Sequence, residues 1–137
     1  MGAWGHLAFD NDTANDWAYE IEEATDLSPV EAAFDELEAV GADYLDSDIA
    51  CNALAACEVL ARCQGNAGYK NAYTAIVDAW VAKHPLKPSP TLLTRASAAL
   101  DRVLGKDSEL RELWDEAGER AWHDSVEDLR VRLGTRT

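Results

Sequence analysis

Twice in this chain a serine is followed by proline, an apolar stripe at three- and four-residue spacing, and then glycine: Ser28 and Pro29 up to Gly41, and Ser89 and Pro90 up to Gly105. Proline suits the first turn of a helix, where its missing N–H would have no partner, and glycine favours the position just past a helix end. Each unit therefore predicts a helix with its own start and stop. Elsewhere no stretch alternates apolar with polar residues among β-branched and aromatic types, whereas 24 of the 137 residues are alanine, the strongest helix former. The expectation is an all-α fold, an irregular compact bundle of six or seven helices with no significant sheet.

The remaining helices follow from the same signals. Asn11 or Asp12 can cap a first helix that buries Ala14, Trp17, Ala18 and Ile21 and ends near Ala24. In the second, Ser28 is the expected cap, Glu31 the capping-box acid, and Val30, Ala33, Phe34 and Leu37 the buried stripe. A third runs from about Ser47 to Cys63 with Ile49, Ala53, Leu54, Cys57, Leu60 and Ala61 inward. A fourth covers Asn71 to Ala82 and buries Tyr73, Ile76, Val77 and Trp80. Residues 84–89 form a stiff connection, because a residue before proline is biased out of the helical region. The fifth buries Leu93, Ala96, Leu100, Val103 and Leu104, and Gly118 divides the last third where one helix can break into two.

No linker composition, repeat or low-complexity run divides residues 1–137, so a single helical domain is expected, with residues 1–10 as an arm packed on the bundle. A chain of this length can remove roughly two-thirds of its unfolded surface from water. Its apolar runs are far shorter than the ~20 residues of a membrane span, and no signal pattern opens it, which makes the cytoplasm the expected compartment. Cys51, Cys57 and Cys63 are six apart on one helix, about 9 Å of rise and ~240° of rotation at each step. They can neither pair nor converge on a metal, and read as buried thiols.

Charge is segregated. Residues 1–61 hold 15 Asp and Glu and no Lys or Arg, and residues 62–137 hold 11 acids against 12 bases, so the net charge of −14 arises in the first half. Nucleic acids and anionic membranes are disfavoured, since phosphate binding draws on Lys and Arg. A basic protein is the partner this pattern suits, with Glu20, Glu22, Glu23, Asp35, Glu36 and Glu38 as candidate contacts. An immunity or antitoxin-like factor masking a basic surface is one concrete form. The plain alternative is a solvated acidic surface that keeps the protein soluble.

Trp4, His6, Phe9, Asp10, Asn11, Asp12 and Asp16 form the candidate binding cluster. Its acids suggest a divalent cation and a small metal-dependent enzyme as the alternative function. The calcium-loop pattern fails, however: counted from Asp10, its fifth position is Ala14 and its sixth Asn15. Capping by Asp10, Asn11 and Asp12, with Trp4 and Phe9 folding the arm onto the core, accounts for the same residues. Glu119, His123 and Glu127 share a helix face but lack the second histidine of a zinc-protease helix. Gly65 and Gly68 lack the lysine of a phosphate loop, and a catalytic pair at His84 would need one of the helical cysteines, which read as core, to approach it. No catalytic set, metal site or cofactor is assigned. A structural homo-oligomer is the third reading.

The opening Met1, Gly2, Ala3, Trp4, Gly5, with Phe9, Asn11, Asp12, Ala14 and Asp16, resembles that of the domain of unknown function 4259 family. So does the stretch Ala99 to Leu104 with Asp107, Ser108, Glu109, Leu110, Leu113, Trp114 and later Val126, Glu127, Asp128 and Leu129. The resemblance implies a small, soluble, helical bacterial protein, and implies no reaction, ligand or catalytic residue.

Overall fold

A computed structural model describes residues 7–118 and 120–134. Asn11 opens α1 (Asp12–Glu23), its backbone extended and its side-chain oxygen accepting from the Ala14 amide at 2.8 Å. That bond satisfies one of the amides a helix start leaves without an internal partner. Ala14, Trp17, Ala18 and Ile21 form the buried face, as their spacing predicts. The second helix, α2 (Ser28–Val40), ends at Gly41, whose φ of 60° lies in the left-handed region that glycine enters freely.

Ser28 does not cap α2. Leu27 holds that position, and its carbonyl receives the Val30 and Glu31 amides at 3.0 and 3.1 Å. These bonds leave the serine hydroxyl no amide to accept from, and Asp26 takes the Ser28 amide instead, at 2.9 Å.

Helix α3 (Ser47–Cys63) is the centre, packed against all six other helices. Residues 53–62 are buried without a break. A helix apolar around most of its circumference must be covered on most sides, and its many alanines let neighbours approach closely. Around it stand α1, α2, α4 (Ala75–Lys83), α5 (Pro90–Leu104), α6 (Glu109–Glu116) and α7 (Arg120–Leu133). Gly118, with φ of 71°, breaks the last two apart, which gives seven helices among the described residues.

Helix α4 starts four residues later than the expected Asn71. The Asn71 side-chain oxygen accepts from the Tyr73 and Thr74 amides at 2.9 and 3.2 Å, and the Asn71 amide donates to the Thr74 hydroxyl at 3.0 Å. Such a side-chain turn takes the amides a helix would need. Tyr73 consequently lies outside α4 and is 44% exposed rather than buried. In α5, Ser89 caps as expected, accepting from the Leu92 amide at 3.1 Å. Its buried face is turned from the expected stripe: Leu92 and Ala99 are buried, whereas Leu93 and Leu104 are only half-buried. Ile49 in α3 is likewise half-buried.

No strand occurs among the described residues; one parallel bridge links Leu45 to Ser108. The Leu45 amide donates to the Asp107 carbonyl at 2.8 Å and the Leu45 carbonyl accepts from Glu109 at 3.0 Å. Arg102 fastens the same two loops together, donating to the carbonyls of Gly41, Asp43 and Lys106 at 3.3, 2.6 and 3.1 Å. None of the described helices is long and apolar enough to cross a membrane.

Candidate functional site

The segregated charge has a definite placement. Glu20, Glu22 and Glu23 on α1, and Asp35, Glu36 and Glu38 on the neighbouring α2, are all exposed. Their surroundings differ, because Arg95 of α5 donates to Asp35 at 2.7 Å and to both oxygens of Glu38, at 2.8 and 3.0 Å. Those two acids tie α2 to α5. Among the described residues no lysine or arginine pairs with Asp12, Asp16, Glu20, Glu22, Glu23 or Glu36. Tyr19, 56% exposed, stands on the same helix as five of these acids.

In the N-terminal cluster, Trp4 and His6 lie outside the described residues. The Asp10 carboxylate accepts from the Leu7 amide at 3.2 Å, closing a turn in which the Asp10 amide donates back to the Leu7 carbonyl at 3.0 Å. Asn11 caps α1 and also donates to the Ala8 carbonyl at 3.1 Å. Phe9 is fully buried, its carbonyl accepting from the Asn15 amide group at 2.6 Å. Asp12 and Asp16 point outward. Asp10 Oδ2 and both side-chain polar atoms of Asn11 are thus engaged with local backbone. Among the described residues no group of three or more His, Cys, Asp or Glu side chains could hold a metal ion.

His123 pairs with Asp115 of α6, Nε2 to Oδ1 at 2.8 Å, not with the carboxylates of its own helix. Glu119 lies outside the described residues, and Glu127 lies 3.6 Å from Arg130. His84 stacks on Trp80 with ring centroids 4.8 Å apart. The three cysteines are free, with Cys51 and Cys57 buried and Cys63 half-buried. Burial pushes the Cys63 thiol up to about 11 and, together with Asp48 and Asp46, the Cys51 thiol up to about 12, while Cys57 is raised by burial as well. Such thiols are poor nucleophiles, because the thiolate is the reactive form.

The chain also holds a constellation that the sequence reading overlooked. Glu58, 2% exposed, lies within the apolar centre of α3. Arg132 of α7 grips it with two parallel bonds, each 2.8 Å, and Arg62 one turn along α3 donates to the same carboxylate. Arg62 continues to Asp78 of α4 at 2.8 Å and to the Tyr69 carbonyl; Arg132 continues to Asp128 at 2.8 Å. Arg62 also stands over the Tyr69 ring, 4.9 Å from its centroid. Buried ions persist only when paired and hydrogen-bonded, and here two guanidiniums and three carboxylates meet that condition together. A signal was present: Glu58 and Arg62, four apart, are the charged residues that interrupt the apolar run from Ile49 to Cys63.

Beside Glu58 and Arg132, α3 and α7 part to form a cleft of about 320 Å³, bordered by Leu7 and Ala8. Its walls include Leu54, Trp122, Val126 and Leu129, with Asp124 and Asp128 on α7 beside them.

Fold and site together define a helical protein built on a buried central helix, with an internal charge network at its core and unpaired acids on one outer pair of helices. The chain belongs to the DUF4259 family, described as a domain of unknown function, whose model matches residues 2–125. That match takes in the central helices as well as the opening motif, and ends just before Val126 to Leu129. Comparison with curated proteins and with solved structures gave no match.

Proposed function

We propose that this protein acts by binding, and that its partner is a basic protein surface met by the outer faces of α1 and α2. The observation that carries this reading is the set of unpaired acids on those helices: Asp12, Asp16, Glu20, Glu22, Glu23 and Glu36 have no cationic partner among the described residues. Like charges left unneutralised on neighbouring helices repel each other, and a cationic surface relieves that repulsion on contact. Asp35 and Glu38 contribute less, because Arg95 already holds them. Exposed Tyr19 supplies an aromatic face that can lie against a lysine stem or a guanidinium.

The test is affinity capture from source lysate, using the wild type beside a Glu20, Glu22, Glu23→Gln variant. The Debye length shrinks from about 30 Å at 0.01 M salt to about 3 Å at 1 M, so the partner should be retained at low salt and lost at high salt. It should also be lost in the variant. Recovery of no basic protein by either form removes the reading and leaves the acids as a solvating surface.

A further inference from the structure

We propose that the cleft between α3 and α7 is a binding site for a small organic cation, an amine or guanidine carried on a short apolar chain. The argument is one of size and of remaining hydrogen-bonding capacity. A volume of about 320 Å³ lies within the ~300–1,000 Å³ of small-molecule pockets, and Leu54, Trp122, Val126 and Leu129 supply the apolar walls such pockets use.

The polar residues then decide the ligand's sign. Arg132, the cation that lines the cleft, has four of its N–H bonds committed: two to Glu58, one to Asp128 and one to the Asn66 carbonyl. It has little left to offer an anion. Both Glu58 oxygens are occupied by that arginine. Carboxylate acceptors remain on Asp128, of which only Oδ2 is used among the described residues, and on Asp124, whose side chain makes no hydrogen bond among the described residues and has Arg120 at 3.7 Å. These two carboxylates stand one helical turn apart on α7, on the side that lines the cleft. Free acceptors beside apolar walls suit a donor with positive charge and an apolar body, and they repel carboxylates and phosphates. This site is separate from the unpaired acids of α1 and α2, so the two readings stand or fall independently.

The experiment is an NMR titration of the full chain at low salt, following backbone amides, with n-pentylammonium and n-butylguanidinium as probes. Neutral n-pentanol and anionic pentanoate are the controls. Either cation should give saturable shifts centred on residues 121–132 of α7 and 54–58 of α3, with pentanoate giving none. Both acids are largely exposed, so Asp124→Asn and Asp128→Asn should each weaken the cation by about threefold, and the double variant by about tenfold. Asp128 also supports Arg132, whereas the Asp124 carboxylate makes no hydrogen bond among the described residues and has only Arg120 at 3.7 Å, so Asp124→Asn serves as the variant that least disturbs the structure. The Glu20, Glu22, Glu23→Gln variant should bind the probes as the wild type does. The proposal is overturned by the absence of saturable shifts, by n-pentanol binding as tightly as the cations, or by unchanged cation affinity in Asp124→Asn.

Discussion

Replacing Glu58 by glutamine keeps the side chain's shape but removes the charge that two arginines share. Glu58 is 2% exposed, Arg62 is 4% exposed, and Arg132 lies half-buried against them. Breaking a buried ion pair from one side costs about 3–5 kcal/mol, chiefly because the surviving charge stays buried without compensation. Here each arginine keeps a second carboxylate, Asp78 for Arg62 and Asp128 for Arg132. The expected loss is therefore at the low end, about 3 kcal/mol, which for a chain of this size lowers Tm by about 10 °C. Urea unfolding followed by circular dichroism near neutral pH measures it, and a cycle of Glu58→Leu alone, Arg132→Leu alone and the double variant Glu58→Leu, Arg132→Leu tests the coupling. Removing both partners should cost less than the two single losses added together, because no buried charge is then left unmatched by its removal. A Glu58→Gln loss below about 1 kcal/mol, or strict additivity in the double variant, refutes the view that this carboxylate is what makes the two guanidiniums tolerable.

Three further outcomes follow from local geometry. Gly68 has a φ of 53°, and a Cβ added there would stand 2.5 Å from Arg132 Nε, whereas Gly41, at 60°, has nothing within 4 Å. Alanine at Gly41, whose φ of 60° and ψ of −127° glycine alone adopts without strain, should cost the backbone penalty of about 1–3 kcal/mol by urea unfolding, and alanine at Gly68 must displace Arg132 in addition to its own backbone penalty. The His123 hydrogen bond, assisted by Arg111, holds the Asp115 carboxyl below its ordinary value, so this contact favours the native state above the unfolded carboxylate range and is lost as pH falls through the depressed value. In His123→Ala the Asp115 midpoint, followed by carboxyl-carbon NMR, should move up; an unchanged midpoint contradicts the assignment. Among the thiols, half-buried Cys63 should be alkylated first in the native state and fully buried Cys57 only on unfolding, as mass spectrometry of iodoacetamide-treated protein would show.

Local chemistry determined a good part of this fold. The cap at Asn11, the cap and proline at Ser89 and Pro90, and the stop at Gly41 and Gly118 act within a turn of their own helix, so they can be read along the chain. The buried faces of α1 and α2 follow in the same way, because a 3.6-residue repeat has meaning before any partner is known. Where two local choices compete, sequence alone misleads: Ser28 and Leu27 both could end the approach to α2, and the turn at Asn71 captures amides that α4 was expected to use. The rotation of α5 toward Leu92 and Ala99 depends on where α3 and α7 lie, which its own periodicity does not contain.

For the candidate sites the division is sharper. The sequence by itself determined that the first 61 residues carry the net negative charge, because that is a count. Only the tertiary structure decided which of those acids are neutralised, since Arg95 reaches Asp35 and Glu38 from about 60 positions away. Likewise Glu58 and Arg62 announce a pair at four-residue spacing, but the third member, Arg132, comes from 74 positions further on and meets them only because α7 packs along α3. The cleft beside them is the gap between those same two helices. Contacts between distant segments depend on how faces pack, and a one-dimensional pattern specifies the faces without specifying which of them meet.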